Sequence, residues 1–277
     1  MNSSTVKKGK VFVTTSGKGG VGKSTVTGNL GAALAALGNE VIIVDMDIGL
    51  RNMDILLGVE SRVVFNIIDV ADNACRVDQA LVRSKFAPNL RLLPASQTKN
   101  KDDLREKDAH AIIELLREMA DYILIDCPAG IESGFRHSIS AADEALVVVN
   151  PEVSSIRDSD RVVGMLESMT KRVPSRLLIN RYKPELVKRG DQMSIDDICE
   201  ILSIDLIGVI PETENVVKGA NRGELVPANT PEGVIFTEIA RRMTGETVPV
   251  KVDFEEKKNG LAASFKSLRR LFSSAAC

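Results

Sequence analysis

The sequence is poor in cysteine, in aromatic residues and in net charge. Its 277 residues include four cysteines, two tyrosines and no tryptophan, and the formal net charge is −2. The cysteines, at positions 75, 127, 199 and 277, form no C-x-x-C pair, which argues against zinc, an iron–sulfur cluster or a disulfide framework. Acidic and basic residues are interspersed, so no bulk field favours nucleic acid as the main partner. A reducing compartment fits this composition best.

The sequence also lacks a long apolar run and the common hydrolase motifs. No apolar stretch approaches the roughly 20 residues that a membrane-spanning helix needs, and the first ten residues lack the apolar region of a secretory signal. His110 and His137 stand outside any H-E-x-x-H or G-x-S-x-G motif, so we assign them no catalytic role.

Short apolar runs recur along the chain, and helical patterns separate most of them. Continuous runs of Val, Ile and Leu predict a doubly wound, mainly parallel sheet with helices on both faces, in one large α/β domain. Ligands of such sheets bind at the carboxyl ends of the strands. The predicted strands are Val11–Val13, Val41–Val44, Leu90–Leu93, Tyr122–Ile125, Ala145–Val149, Arg176–Ile179 and Leu206–Ile210.

The domain organisation follows from where this pattern begins and ends. We predict an N-terminal extension over residues 1–9, the α/β domain over 10–244, a linker over 245–260, an amphipathic helix over 261–272 and a tail over 273–277. The predicted linker loses periodicity and contains Pro249.

A glycine-rich loop joins the first predicted strand to the first helix. Residues 17–24 match G-x-x-x-x-G-K-[ST], in which successive amides turn toward phosphate oxygens. Lys23 is predicted to reach the β- and γ-phosphates, and the Ser24 hydroxyl to bind Mg²⁺. The predicted nucleotide-binding residues of the loop are Gly17, Lys18, Gly19, Gly20, Val21, Gly22, Lys23, Ser24 and Thr25.

Carboxylates follow two of the predicted strands. Asp45 and Asp47 come after the strand Val41–Val44, and Asp126 after Tyr122–Ile125. Beside a triphosphate, such carboxylates hold Mg²⁺ and its waters and orient the attacking water. Asp126 in particular follows the Walker B pattern of an apolar strand that ends in one aspartate.

These motifs together resemble the ParA/MinD family of deviant Walker A ATPases, whose loop reads K-G-G-x-G-K-[ST]. The resemblance implies ATP and Mg²⁺ as cofactors and an ATP-dependent homodimer in which Lys18 crosses to the partner's nucleotide. It implies catalytic roles for Lys18, Lys23 and Asp47, and a place in the Mg²⁺ shell for Asp45. It also implies base recognition at two loops, Asn180-Arg181 and Pro211-Glu212; the amide of Asn180 suits an adenine edge.

Within the family, the resemblance is to the septum-positioning branch, and it covers about residues 10–272. It is carried by the loop and by four further runs, which are residues 47–52, 94–98, 126–132 and 150–161. This branch implies a MinC-like and a MinE-like partner, with partner contacts at Arg51, Asn52, Arg157, Asp158 and Asp160. It also implies a location in the cytoplasm and on the inner face of the cell membrane. The sequence does not separate a bacterial source from a plastid stroma and envelope.

The C-terminal segment has the pattern of an interfacial membrane helix. On a helical wheel its apolar residues share one face and its basic residues lie opposite or on the flank. The predicted membrane-binding residues are Leu261, Phe265, Lys266, Leu268, Arg269, Arg270, Leu271 and Phe272. One such segment should bind weakly, whereas the two tails of a dimer gain about 10²–10⁴-fold in avidity. The alternative is a terminal helix docked on the domain.

Three alternative functions share parts of these motifs. A ParA-like DNA-partitioning ATPase has the same nucleotide motifs but acts on nucleoid DNA. A metabolic enzyme could use the loop to phosphorylate a small molecule. An iron–sulfur scaffold is a third alternative, although this chain lacks the required cysteine pair.

Overall fold

The apolar runs of the sequence form one sheet in the computed structural model, which describes residues 8–50, 52–130 and 133–252. Residues 1–7, 51, 131–132 and 253–277 lie outside the described residues. The predicted partner contact Arg51, the entire amphipathic segment 261–272 and the tail 273–277 are therefore outside them. The predicted domain boundaries stay predictions.

Eight strands make up the sheet, in the order β3-β4-β2-β5-β1-β6-β7-β8. All neighbouring strands are parallel except β3, which pairs antiparallel with β4 at one edge. The strands are β1 Lys10–Thr15, β2 Val41–Asp45, β3 Val82–Arg83, β4 Leu90–Leu93, β5 Tyr122–Asp126, β6 Glu144–Val149, β7 Ser175–Tyr182 and β8 Asp205–Pro211. The seven predicted strands are confirmed, and β3 was not predicted because two residues are too short to show a pattern.

Helices connect the strands and cover the sheet. They are α1 Lys23–Ala36, α2 Met53–Leu56, α3 Ile67–Ala71, α4 Val77–Ala80, α5 Glu106–Leu116, α6 Ser133–Ile139, α7 Val153–Ser168, α8 Pro184–Arg189, α9 Ile195–Leu202, α10 Glu214–Arg222 and α11 Pro231–Met243. Short 3₁₀ helices occur at Glu60–Arg62 and Lys101–Asp103. None of the helices in the described part of the chain is long and apolar enough to cross a membrane.

The core has two layers, one on each face of the sheet. Successive strand residues point to opposite faces, so in β1 Val11 and Val13 join one layer and Phe12 the other. Helices α5, α6, α7 and α9 cover the first layer, and α1 and α11 cover the second. This arrangement confirms the predicted doubly wound fold. Because β1 lies inside the sheet, the loop after it opens among the carboxyl ends of several strands.

A buried arginine joins the amino ends of two central strands. The side chain of Arg117 is only 9% exposed. Its guanidinium donates to both carboxylate oxygens of Asp143, at 2.6 and 2.9 Å, and to the carbonyls of Gly9 and Ala141, at 2.8 and 2.6 Å. Partial burial opposes the ionisation of Asp143, but the hydrogen bonds from Arg117 and from the Val11 amide outweigh it and hold the pKa of Asp143 below its usual value.

Replacing Arg117 with methionine should lower the free energy of unfolding by about 3 kcal/mol, because the Asp143 carboxylate and two buried carbonyls lose their donors. Chemical denaturation measures this change. In the wild type, the contribution of the ionised carboxylate is present above the unfolded-state pKa of about 3.9 and is lost as the pH falls through the lower folded-state value. The variant should lack most of that acid sensitivity.

Arg105→Met provides the matched control. The Arg105 side chain is 65% exposed and pairs with Asp108 at the surface. Its loss should change the unfolding free energy by at most about 0.5 kcal/mol. Equal losses in the two variants would contradict a structural role for the buried cluster.

Candidate functional site

The glycine-rich loop lies between the end of β1 and the start of α1. Gly22 has a φ of +96°, a left-handed conformation that favours glycine, and α1 begins at the next residue. A Cβ added at Gly22 would lie 2.5 Å from Nδ2 of Asn180. That nitrogen donates to the carbonyl of Val21 at 2.7 Å, so Asn180 braces the loop from β7. One of the two amide hydrogens of Asn180 is thus engaged, and its predicted role at an adenine edge stays a prediction.

The lysine of the loop is held close to the loop backbone. Lys23 is 9% exposed, and its Nζ donates to Oγ of Ser16 at 3.0 Å. Oγ of Ser16 in turn donates to the carbonyl of Lys18 at 2.8 Å. An ammonium at the amino end of α1 adds to the positive end of the helix dipole, a combination that favours phosphate.

Two buried carboxylates lie beside this loop. Asp45 and Asp126 are register partners at the carboxyl ends of β2 and β5, and both are almost fully buried. Burial, together with the nearby charge of Asp126, raises the pKa of Asp45 to about 8. Burial also raises the pKa of Asp126, to about 6, although the Ser24 hydroxyl, Lys23 and the Thr27 hydroxyl favour its ionised form.

These residues fit a nucleotide-bound magnesium ion. Two buried carboxylates that repel each other are stabilised by a cation, and oxygen donors are what Mg²⁺ prefers. In the described part of the chain, no group of three or more His, Cys, Asp or Glu side chains could hold a metal ion. A magnesium ion at Ser24, Asp45 and Asp126 would therefore take its remaining ligands from phosphate and water, as is usual for this ion.

Asp47 lies at the edge of the acidic pair. It is half-buried, and its backbone amide donates to Oδ1 of Asp45 at 2.9 Å. Its backbone position is thus fixed relative to Asp45. Nearby Cys127 is buried, and burial raises the pKa of its thiol to about 12, so it is not poised as a nucleophile.

Lys18 does not share the interior position of Lys23. Its side chain is exposed, and Nζ donates to Oγ of Ser154 at 3.2 Å and lies 3.6 Å from the Glu152 carboxylate. Both partners are at the amino end of α7. The second lysine of the motif therefore lies on the surface, where another chain has access to it.

The start of α7 also contacts the loop through the backbone. A Cβ added at Gly17 would come within 2.1 Å of the carbonyl carbon of Asp158, and the Gly17 amide donates to Oγ of Ser159 at 3.3 Å. Only glycine allows this approach. Of the predicted partner residues on this helix, Arg157 and Asp160 are exposed and Asp158 is half-buried. The predicted partner surface therefore lies directly against the phosphate loop.

The other predicted residues lie at the same edge of the sheet. Arg181 is exposed beyond Asn180 in β7, and Pro211 and Glu212 are half-buried at the end of β8. Glu212 pairs with Lys183 at 2.5 Å. Asn52 is exposed at the start of α2. The base-binding and partner-binding roles of these residues stay predictions.

Several residues that support the site were not predicted. Ser16 and Thr27 contact Lys23 and Asp126 and lie next to the motif, so proximity in the sequence could have indicated them. Glu152, Ser154 and Ser159 approach the loop from more than 130 positions away; they lie in the run 150–161 that carries the resemblance, but nothing local indicates their contact with the loop.

Gly22→Ala should weaken nucleotide binding by at least about tenfold, because the added methyl group displaces Asn180 and the loop loses its brace. Titration with a fluorescent ADP analogue measures this. Gly38→Ala is the matched control, since Gly38 has a φ of +89° and nothing within 4 Å of an added Cβ. Both variants should lose about 1–2 kcal/mol of stability from the left-handed backbone. Equal nucleotide affinities would rule out the brace.

Comparison with known proteins agrees with this geometry. A family model described as the CobQ/CobB/MinD/ParA nucleotide binding domain matches residues 12–226. The septum site-determining protein MinD of Bacillus subtilis strain 168 is 45% identical over 263 residues, which are 94% of this chain and 97% of that protein.

Solved structures give the same result. A chain of the MinC:MinD cell division protein complex of Aquifex aeolicus is 47% identical, with a TM-score of 0.81 over 87% of this chain and 98% of that chain. The septum site-determining protein MinD complexed with Mg-ADP from Pyrococcus horikoshii OT3 is 27% identical, with a TM-score of 0.76 over 84% and 95% of the two chains. The chain belongs to the MinD/ParA family of nucleotide-binding proteins, and within it to the septum-site-determining MinD group.

Proposed function

We propose that the protein is a Mg²⁺-dependent ATPase that dimerises with ATP, attaches to the membrane through its C-terminal segment and positions the division septum. The observation that carries the nucleotide part is the convergence of Lys23, Asp45 and Asp126 on the glycine-rich loop. The similarity to septum site-determining proteins supports the cellular role.

In this mechanism the loop amides and Lys23 bind the phosphates of ATP. Ser24, Asp45 and Asp126 would hold Mg²⁺, which when bound would neutralise charge on the phosphates. Asp47 accepts a hydrogen bond from the attacking water and orients it toward the γ-phosphate.

Lys18 acts across the dimer interface in this proposal. To reach the partner's nucleotide its ammonium must leave Ser154 and Glu152. Exposed pairs of this kind contribute about 0–1 kcal/mol, so the release costs little compared with a contact to a buried triphosphate.

The exposed start of α7 is the surface that we assign to a MinC-like division inhibitor and a MinE-like stimulator of hydrolysis. The similar chain from Aquifex aeolicus belongs to a complex that contains MinC, which supports the first partner. Because the same helix contacts Gly17 through its backbone, a protein bound to Arg157 and Asp160 lies close to the phosphates.

The membrane part rests on the amphipathic pattern of residues 261–272. Four apolar anchors contribute roughly 6–12 kcal/mol at an interface, and three basic residues about 1 kcal/mol each at an anionic surface. Ordering a dozen residues offsets much of that gain. Two tails on one dimer then bind the membrane stably, whereas one tail does not. The protein therefore cycles between the cytoplasm and the inner face of the cell membrane, or between the stroma and the envelope of a plastid.

The first test is co-sedimentation with anionic liposomes. The full chain should pellet with ATP but not with ADP, because only the dimer has two tails, and the difference in apparent affinity should be about 10²–10⁴-fold. A chain that ends at Gly260 should stay in the supernatant with either nucleotide. Lys23→Ala should behave like the wild type with ADP. Equal pelleting with ATP and ADP would overturn the proposal, and salt-dependent DNA retention without liposome binding would indicate a partitioning ATPase instead.

The second test concerns the interface lysine. Lys18→Ala should still bind nucleotide but should not dimerise with ATP, and its stimulated turnover should fall by at least about a hundredfold, because a charge that acts on the transition state is lost. Light scattering measures the dimer and phosphate release measures the turnover.

Lys8→Ala is the matched control for this variant. Lys8 is also exposed and also pairs with one glutamate, Glu114, but it lies at the opposite end of β1. It should dimerise and hydrolyse ATP as the wild type does. Normal stimulated turnover in Lys18→Ala would exclude the role across the interface.

A further inference from the structure

One arginine side chain ties the end of the last described helix to the chain that follows it. Arg242 is in the last turn of α11, and its side chain is 9% exposed. Three of its nitrogens donate to three backbone carbonyls: Nη1 to Ile207 at 2.8 Å, Nε to Val248 at 2.7 Å and Nη2 to Pro249 at 2.6 Å. One guanidinium therefore joins α11, the edge strand β8 and the chain beyond Gly245.

Two ion pairs flank this contact and are weaker. Arg241 pairs with Glu246 at 2.7 Å, and Lys251 pairs with Glu238. Arg241 is 44% exposed and Lys251 is 68% exposed. Exposed ion pairs of this kind contribute little to stability because water screens them.

Beyond the Glu246 amide, which donates to the carbonyl of Arg241 at 3.0 Å, the contacts described for the stretch 246–252 are made by side chains. It forms neither helix nor strand, so no backbone ladder holds it to the sheet. Burial lowers the pKa of the Arg242 guanidinium below its usual value, and the nearby Glu238 opposes that change. A buried guanidinium that is satisfied by three carbonyls is the strongest contact described for this stretch.

The attachment point is far from the nucleotide loop. Ile207 lies near the amino end of β8, whereas the glycine-rich loop follows the carboxyl end of β1. Because β1 and β8 run in the same direction, the two points lie at opposite ends of the strands: the attachment point near the amino ends, and the loop at the carboxyl ends.

We propose that Arg242 anchors residues 246–251 at the amino edge of the sheet and thereby sets the place from which the C-terminal segment leaves the domain. The consequence for membrane binding rests on the proposed function of residues 261–272. If the anchor is lost, the tether to Leu261 lengthens from 9 residues, counted from Val252, to 17, counted from Thr244. Since effective concentration falls with about the −3/2 power of linker length, the second tail of a dimer that is already attached by its first should bind about 2.6-fold more weakly.

The anchor itself is tested by limited trypsin digestion of the full chain, followed by intact-mass spectrometry. In Arg242→Gln, cleavage after Lys251 should accelerate by at least about tenfold, because the protease cleaves the released form. Cleavage after Lys257, which lies beyond the anchored stretch in the sequence, provides the internal reference. Arg241→Gln is the matched control and should cleave after Lys251 nearly as slowly as the wild type.

Arg242→Lys keeps the folded protein available if the glutamine variant is unstable. It retains the charge and the alkyl stem but lacks the planar guanidinium that donates to three carbonyls. Its rate of cleavage after Lys251 should therefore lie between those of the wild type and Arg242→Gln. Thermal unfolding of all variants shows whether the effect is local, since a global loss of stability would accelerate cleavage throughout the chain.

The membrane consequence is tested by titrating ATP-bound full-length protein with vesicles of equal parts phosphatidylglycerol and phosphatidylcholine. The overall affinity of the Arg242→Gln dimer for vesicles should fall about 2.6-fold, and Arg241→Gln should bind as the wild type does. Unchanged cleavage after Lys251 in Arg242→Gln would overturn the anchor. Faster cleavage with unchanged vesicle affinity would overturn its role in placing the tail. Absence of wild-type vesicle binding would count against the proposed function, and the digestion would still decide the anchor.

Discussion

Two buried acidic side chains at the ends of adjacent strands determine how this site is built. Asp45 and Asp126 end adjacent strands in register, and burial and mutual repulsion both raise the pKa of Asp45. Such a pair is unfavourable unless cations lie nearby. Lys23 supplies one positive charge, and the Ser24 hydroxyl also favours the ionised form of Asp126. The fold therefore keeps two acidic groups close together and buried at the carboxyl ends of the strands. The cation of a magnesium nucleotide would balance their negative charge there.

Close backbone contact between the glycine-rich loop and α7 connects the nucleotide site to the surface of the protein. Gly17 touches α7 so closely that no side chain fits between them, and Ser159 from the same helix accepts a hydrogen bond from the loop. The exposed residues at the start of α7 are thus on a helix that contacts the glycine-rich loop directly. A partner that binds this helix has a short route by which to affect hydrolysis, because packed backbone transmits displacement better than flexible side chains do.

Much of the fold and the centre of the site could be predicted from the sequence, because their signals are local. Buried parallel strands appear as unbroken apolar runs, and the glycine-rich loop has fixed spacing. The contacts that could not be predicted join distant positions. Asn180 braces Val21 from 159 residues away, and Lys18 meets Ser154 from 136 residues away. The acceptors of Arg242 are backbone carbonyls, which carry no sequence signature at all.

The sheet has a consequence for signalling that follows from its stiffness. Strands of β1's length span about 20 Å, and the chain that leads to the C-terminus departs from the edge opposite the phosphate loop. Hydrogen-bonded strands between the two ends of the sheet deform little, so on the proposed function a bound γ-phosphate need not distort the sheet to affect membrane binding. On the proposed function, the nucleotide controls membrane binding through the number of tails and not through a distortion of the sheet. A monomer has one tail, and an ATP-bound dimer has two.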